Sequence, residues 1–146
     1  VEKIGGKLER AFLSDQLGPN AVDVQTYLEA VQIHRPAIQS AYAEYFDNHA
    51  LMALIVPTVA LPAPQIGEDD TVALNGTRVP TFLTITRNCS PASAAGLACL
   101  TIPAGQSKEG LPIGIDLVGP RMSDASVLAL GRAIEQVLPS LPPPDI

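Results

Sequence analysis

The sequence has no tryptophan and few other aromatics, three tyrosines and three phenylalanines. Its nine lysines and arginines are scattered among fifteen acidic residues, for a formal net charge of −6. Nucleic-acid binding draws on clustered cations and stacking rings, so no nucleic-acid partner is expected. Long hydrophobic runs are also missing. The longest, Ala50 to Pro57, falls well short of the roughly 20 apolar residues that span a bilayer, so no transmembrane helix and no membrane partner are expected. Cysteine is sparse. Cys89 and Cys99 do not make a disulfide framework, and both stand among small apolar residues. They read as reduced core thiols, which points to a cytoplasmic location. The chain opens on Val1-Glu2-Lys3 without an initiator Met or a signal-peptide pattern, so a cut or processed piece is expected.

Chemistry-bearing patterns are equally thin. His34 and His49 are the only histidines, and no Cys/His cluster or i, i+4 ligand spacing surrounds either. Both read as surface or capping residues, and no metal or cofactor is expected. Ser90, Ser93 and Ser107 are the serine candidates for a nucleophile, which requires a neighbouring base. No G-x-S-x-G elbow is present. Ser107-Lys108, within Gly105 to Gly110, pairs a hydroxyl with a lysine, but adjacent residues in an exposed turn do not desolvate the lysine. That stretch reads as a turn. Glu68, Asp69 and Asp70 share one open loop, which gives them no separation of acidity for acid–base work. No glycine-rich phosphate loop follows a strand. On its residues alone, the chain has no complete catalytic set.

What is present is a core. Apolar residues make up 47% of the 146 and charged ones 16%, enough for one compact domain. The segment from about 1 to 49 reads as helical. Val24, Tyr27, Leu28 and Val31 are spaced for one face of a helix over Asp23 to Ile33. Pro36 interrupts and opens a second helix to about Asn48, with Ile38, Ala41, Tyr42, Tyr45 and Phe46 on one stripe. Residues from about 50 to 138 read as strands and a helix. Leu51 to Val56 is an apolar run closed by Pro57, a buried strand. A surface loop spans Val59 to Asp70. Asn75-Gly76 suits a type I′ turn within a hairpin over Thr71 to Val79. Ala98 to Pro103 and Ile113 to Val118 are further strands, joined by a polar turn from Ala104 to Leu111. Ser123 caps a last helix whose buried face is Val127, Leu130, Ile134, Val137 and Leu138. A proline-rich tail, 139–146, follows. The order of elements predicts an α/β fold whose sheet is incomplete in this chain.

From Ala50 onward the sequence resembles the C-terminal part of amidase-signature enzymes. The resemblance rests on Leu54-Ile55-Val56-Pro57-Thr58 with Pro62, on Pro91-Ala92-Ser93-Ala94-Ala95-Gly96-Leu97, and on Leu100-Thr101-Ile102-Pro103-Ala104-Gly105. Gly110-Leu111-Pro112-Ile113-Gly114-Ile115, Gly119-Pro120 and Asp124 with Leu128-Ala129-Leu130 extend it. Arg35-Pro36 and the stretch from Leu74-Asn75-Gly76 to Arg87-Asn88 most resemble mandelamide and indoleacetamide hydrolases within that family. The chain departs from the family at Ser93 and Ala98, where Asn and Pro are frequent.

The resemblance implies one α/β domain around a mixed sheet flanked by helices. It also implies amide hydrolysis by a serine nucleophile, activated by a lysine through a second serine, with a backbone oxyanion hole. Those residues lie upstream of the matched region, and no Gly-Gly-Ser-Ser stretch occurs here. No catalytic residue is therefore assigned to this chain. Its expected contribution is pocket wall: Pro57 and Thr58 at a strand end and the segment Thr84 to Asn88, with Thr86 and Asn88 toward a carboxamide and Phe82 and Leu83 toward an aromatic ring. The expected partners are a small amide substrate and the remaining N-terminal part of the domain, with a homodimer as the assembly to test. A non-catalytic binding module and an amidotransferase subunit acting on charged tRNA are the alternative readings.

Overall fold

The computed structural model describes residues 5–141; the end of the proline-rich tail, 142–146, lies outside them. The chain divides into two compact units, 1–37 and 38–146.

The first unit is helical. Helix α1 runs Lys7–Leu17, with Gly18 at its C-cap donating to the Asp15 carbonyl. Helix α2, Val24–Glu29, starts at Asp23, whose carboxylate accepts the Thr26 N–H at 3.0 Å and the Thr26 hydroxyl at 2.7 Å. This is an N-cap on a first-turn donor that has no partner within the helix. It holds the Asp23 carboxyl below its ordinary value, chiefly through the backbone bond from Thr26. The expected stripe of Val24, Tyr27, Leu28 and Val31 is exposed.

The expected break at Pro36 is not there. Helix α2 passes into a π-turn, Ala30–His34, and then into helix α3, Arg35–His49. The Arg35 N–H reaches back five residues to the Ala30 carbonyl. A proline ring crowds the carbonyl four residues before it and donates nothing, so a wider turn next to Pro36 accommodates it without ending the helix.

The second unit begins in α3. Its one buried side chain is Phe46, with Tyr42 stacked beside it at 6.4 Å between ring centroids. Ala50 adopts φ 50° and ends the helix, as the Leu51 N–H bonds to the Phe46 carbonyl and the Ala50 N–H to the Asp47 carbonyl. Leu51 is thus used in closing the helix. Strand β1 accordingly starts later than expected, at Leu54, and ends at Pro57.

Strands β2 (Thr71–Leu74) and β3 (Thr77–Pro80) form the hairpin expected around Asn75-Gly76, with φ 50° and 80° at those two residues. Arg78 braces it through Thr71 and an ion pair to Glu68 at 3.3 Å. Helices α4 (Thr81–Thr86) and α5 (Cys89–Ala95) follow. The left-handed Gly96 turns the chain into strand β4, Ala98–Gln106, which pairs with β5, Pro112–Gly119.

The main sheet has the order β1-β5-β4, and every pairing among the described residues is antiparallel. The helix-and-sheet fold matches the expected class, with only three strands in this sheet. β4 outlasts the expected strand because a bulge between Pro103 and Gly105 absorbs the residue where proline cannot donate. The turn is therefore shorter than expected and is organised by Ser107, whose Oγ accepts the Glu109 and Leu111 N–H groups.

Helix α6, Asp124–Glu135, covers β4 and β5. The core is Ala98, Ile102, Leu117 and Val127, with Leu100, Ile115, Leu130, Ile134 and Leu138 around it. Gly131 lets the helix approach closely, since a Cβ there would overlap the Leu100 side chain. Two expectations about this helix are corrected. Val137 lies beyond the helix end and is 80% exposed. Ser123 occupies the N-cap position, but its hydroxyl donates to the Pro120 carbonyl at 2.7 Å and caps nothing.

Candidate functional site

The end of β1 is where three of the sequence-derived candidates, Pro57, Thr58 and Asn88, meet. The Asn88 side-chain amide donates to the Pro57 carbonyl at 2.7 Å, and the Cys89 thiol donates to the Thr58 carbonyl at 3.4 Å. The Thr58 N–H bonds to the Gly114 carbonyl at 3.1 Å. Pro57, Thr58 and Asn88 therefore form one unit, in which the start of α5 is fastened to the strand end.

The Thr58 hydroxyl donates to Asp116 Oδ1 at 2.6 Å, and Thr101 donates to the same oxygen at 2.7 Å. Thr101 and Asp116 occupy neighbouring strands, and Thr58 lies just past the end of β1. Asp116 faces Thr101 across the β4–β5 ladder, and Thr58 directly follows the Pro57–Ile115 pair. Asp116 is 7% exposed. A carboxylate so buried costs several kcal/mol to desolvate, about what two charge-assisted bonds of roughly 1.5–3 kcal/mol each offset. The site leaves little room beside it, since a Cβ on Gly114 would stand 3.0 Å from Thr58 Oγ1. Sequence reasoning passed over Asp116. The signal was a single acid in an otherwise apolar strand, Ile113-Gly114-Ile115-Asp116-Leu117-Val118.

Phe82 and Thr86 lie one turn apart on α4, joined by a 2.8 Å bond from the Thr86 hydroxyl to the Phe82 carbonyl. Among the described residues neither bonds to Pro57 or Thr58. The Phe82 ring is 64% exposed and Thr86 is half-buried. Thr86 has used its single hydroxyl proton, and Asn88 has used one amide N–H. Each keeps an acceptor oxygen.

A cleft of about 420 Å³ opens between α5 and the sheet, lined by Cys89, Ser93, Cys99, Asp116 and Asp124 among others. Both cysteines are free, as expected, but exposed, which corrects their assignment to the core. Cys89 opens α5 and Cys99 stands near the start of the edge strand β4, so both residues keep solvent exposure while being partly covered. Burial, with the charges of Asp116 and Cys89 adding to it, raises the Cys99 thiol above its ordinary value.

Among the described residues, the hydrogen-bond partners of Ser90 and Ser107 include no base. Ser90 donates to the Thr86 carbonyl, and Ser107 is engaged by turn N–H groups. No group of three or more potential metal ligands occurs among the described residues, and no described helix is long and apolar enough to cross a membrane. His49 packs edge-on against Tyr45 at 4.5 Å.

The Amidase family model matches residues 2–128. Indoleacetamide hydrolase of Agrobacterium vitis is 37% identical over 92% of this chain and 29% of its own length. Mandelamide hydrolase of Pseudomonas putida is 35% identical over 88% of the chain and 25% of its own length. A crystal structure of an amidase superposes with a TM-score of 0.79 at 28% identity, covering 94% of this chain and 30% of that one. The chain thus spans less than a third of the proteins it resembles. With a family match over most of its residues and a fold shared with a solved amidase, the chain belongs to the amidase family.

Proposed function

We propose that this chain is the C-terminal part of an amidohydrolase that converts small, aryl-bearing carboxamides to a carboxylate and ammonia. The reaction runs through a serine acyl-enzyme, with the catalytic serine and lysine lying outside these 146 residues. The observation that carries this reading is the 37% identity to an indoleacetamide hydrolase across 92% of the chain. The mandelamide hydrolase similarity points to the same substrate shape, an aromatic ring next to a primary amide.

In this reading the described residues build pocket wall. Asn88 and Cys89 hold the Pro57 and Thr58 carbonyls, so the wall is a fixed stretch of main chain. Preorganised groups of this kind are what positioning in acyl transfer requires. The free acceptor oxygens of Thr86 and Asn88 suit the N–H groups of a primary carboxamide, and the exposed Phe82 ring suits the substrate's aromatic ring. The partners are the small amide, the remaining N-terminal part of the domain and a second copy in a homodimer. Two free thiols fit a cytoplasmic setting.

The test is ammonia release by the intact protein from indole-3-acetamide, mandelamide and acetamide, with the 146-residue chain as control. The expected result is turnover of the two aryl amides by the intact protein and none by the control. No ammonia from any of the three would overturn the reading.

A further inference from the structure

We propose that Cys89 and Cys99 form an oxidant-sensitive dithiol, which hydrogen peroxide closes to a disulfide joining the first residue of α5 to β4. The two thiols lie on different elements yet line one cleft of about 420 Å³, both are free, and both are exposed.

The chemistry balances with peroxide as the oxidant. The Cys89 thiol takes one oxygen, giving a sulfenic acid and one water. The Cys99 sulfur attacks that sulfenic sulfur, and the hydroxyl leaves with the Cys99 proton as a second water. Both sulfurs lose one electron and one proton. Cys99 supplies the second sulfur because it lines the same cleft as Cys89, and it attacks as its proton leaves with the hydroxyl. The Cys89 thiol also donates to the Thr58 carbonyl, so the disulfide removes one of the fastenings at the end of β1. The proposal does not depend on which amide is cleaved.

Trypsin releases both cysteines in one peptide, 88–108, because the nearest cleavage points are Arg87 and Lys108. The intact protein would be treated with hydrogen peroxide, alkylated with iodoacetamide and digested. The expected peptide is lighter by two hydrogen atoms, carries no alkyl group and reverts to a doubly alkylated form after dithiothreitol. In Cys89→Ser and Cys99→Ser variants the loss of two hydrogens should disappear. Full alkylation of both thiols after peroxide would overturn the proposal. So would irreversible oxygen adducts at each cysteine, or a loss of two hydrogens that persists in either single variant.

Discussion

Thr58 donates its hydroxyl to Asp116, a carboxylate buried to 7% exposure, at 2.6 Å from a position 58 residues away in sequence. The same Asp116 oxygen also serves Thr101. Replacing the carboxylate separates its hydrogen-bonding from its bulk. Asp116→Ala leaves two hydroxyls without their acceptor and should cost about 2–4 kcal/mol in urea unfolding of the intact protein. Asp116→Asn keeps an acceptor oxygen in place and should cost about 1 kcal/mol. Equal losses in the two variants would count against the shared hydrogen bonds as the source of stability.

Ala50 closes α3 at φ 50°, a left-handed conformation that costs a residue with a Cβ roughly 1–2 kcal/mol. Glycine relieves that strain, though its greater freedom in the unfolded chain returns part of the gain. Ala50→Gly should therefore stabilise the protein by about 0.5–1 kcal/mol, read as a rise in urea midpoint at constant slope. A lower midpoint would show that the Cβ makes contacts worth more than the strain.

The cap of α2 is pH-dependent. Asp23 has its folded value lowered from 3.8 by the bonds from Thr26. A lowered carboxylate contributes stability that is fully present above its unfolded value and is lost as pH falls through the folded one. Helicity of this segment should thus be constant from neutral pH down to about 4 and decline in more acid solution. Asp23→Asn, which accepts the same bond without titrating, should flatten that decline when followed by circular dichroism.

Phe82 supplies the substrate-side test. An exposed ring that stacks on an aryl amide contributes to that substrate and not to acetamide. Phe82→Ala should lower kcat/KM for indole-3-acetamide about tenfold, the scale of one apolar contact, and leave acetamide within about twofold. A uniform fall across both substrates would assign Phe82 to packing.

Much of the fold was legible because single-period signals decided it. The apolar run before Pro57, the Asn75-Gly76 hairpin and the paired strands on either side of Ser107 each follow from local pattern. Helices α4 and α5 carried no such signal. Thr81-Phe82-Leu83-Thr84-Ile85-Thr86 is rich in β-branched residues and by composition favours a strand. It is helical because packing against the β2–β3 hairpin, which buries Thr81 and Thr84, overrides that local preference, and the Thr84 and Thr86 hydroxyls are satisfied by carbonyls four residues back. At the site, the family resemblance singled out Thr58 and Asn88 as candidates, but it did not display their long-range hydrogen-bond partners. The Asn88–Pro57 and Thr58–Asp116 bonds join segments far apart in sequence, and Asp116 was legible only as an anomaly within an apolar strand. Cys89 and Cys99 misled because small apolar neighbours in sequence are not neighbours that cover a thiol in space.

The central position of β5 also sets an order of assembly. Its pairing with β4 closes a short turn, with Thr101 and Asp116 only 15 residues apart, and α6 follows directly to cover both strands. Its pairing with β1 closes a loop of 58 residues at Thr58, which carries a larger entropy cost and rewards it later. The β4–β5–α6 unit should therefore act as the nucleus onto which β1 docks. In kinetic terms, truncating Leu117 should slow folding, whereas truncating Leu54 should mainly speed unfolding.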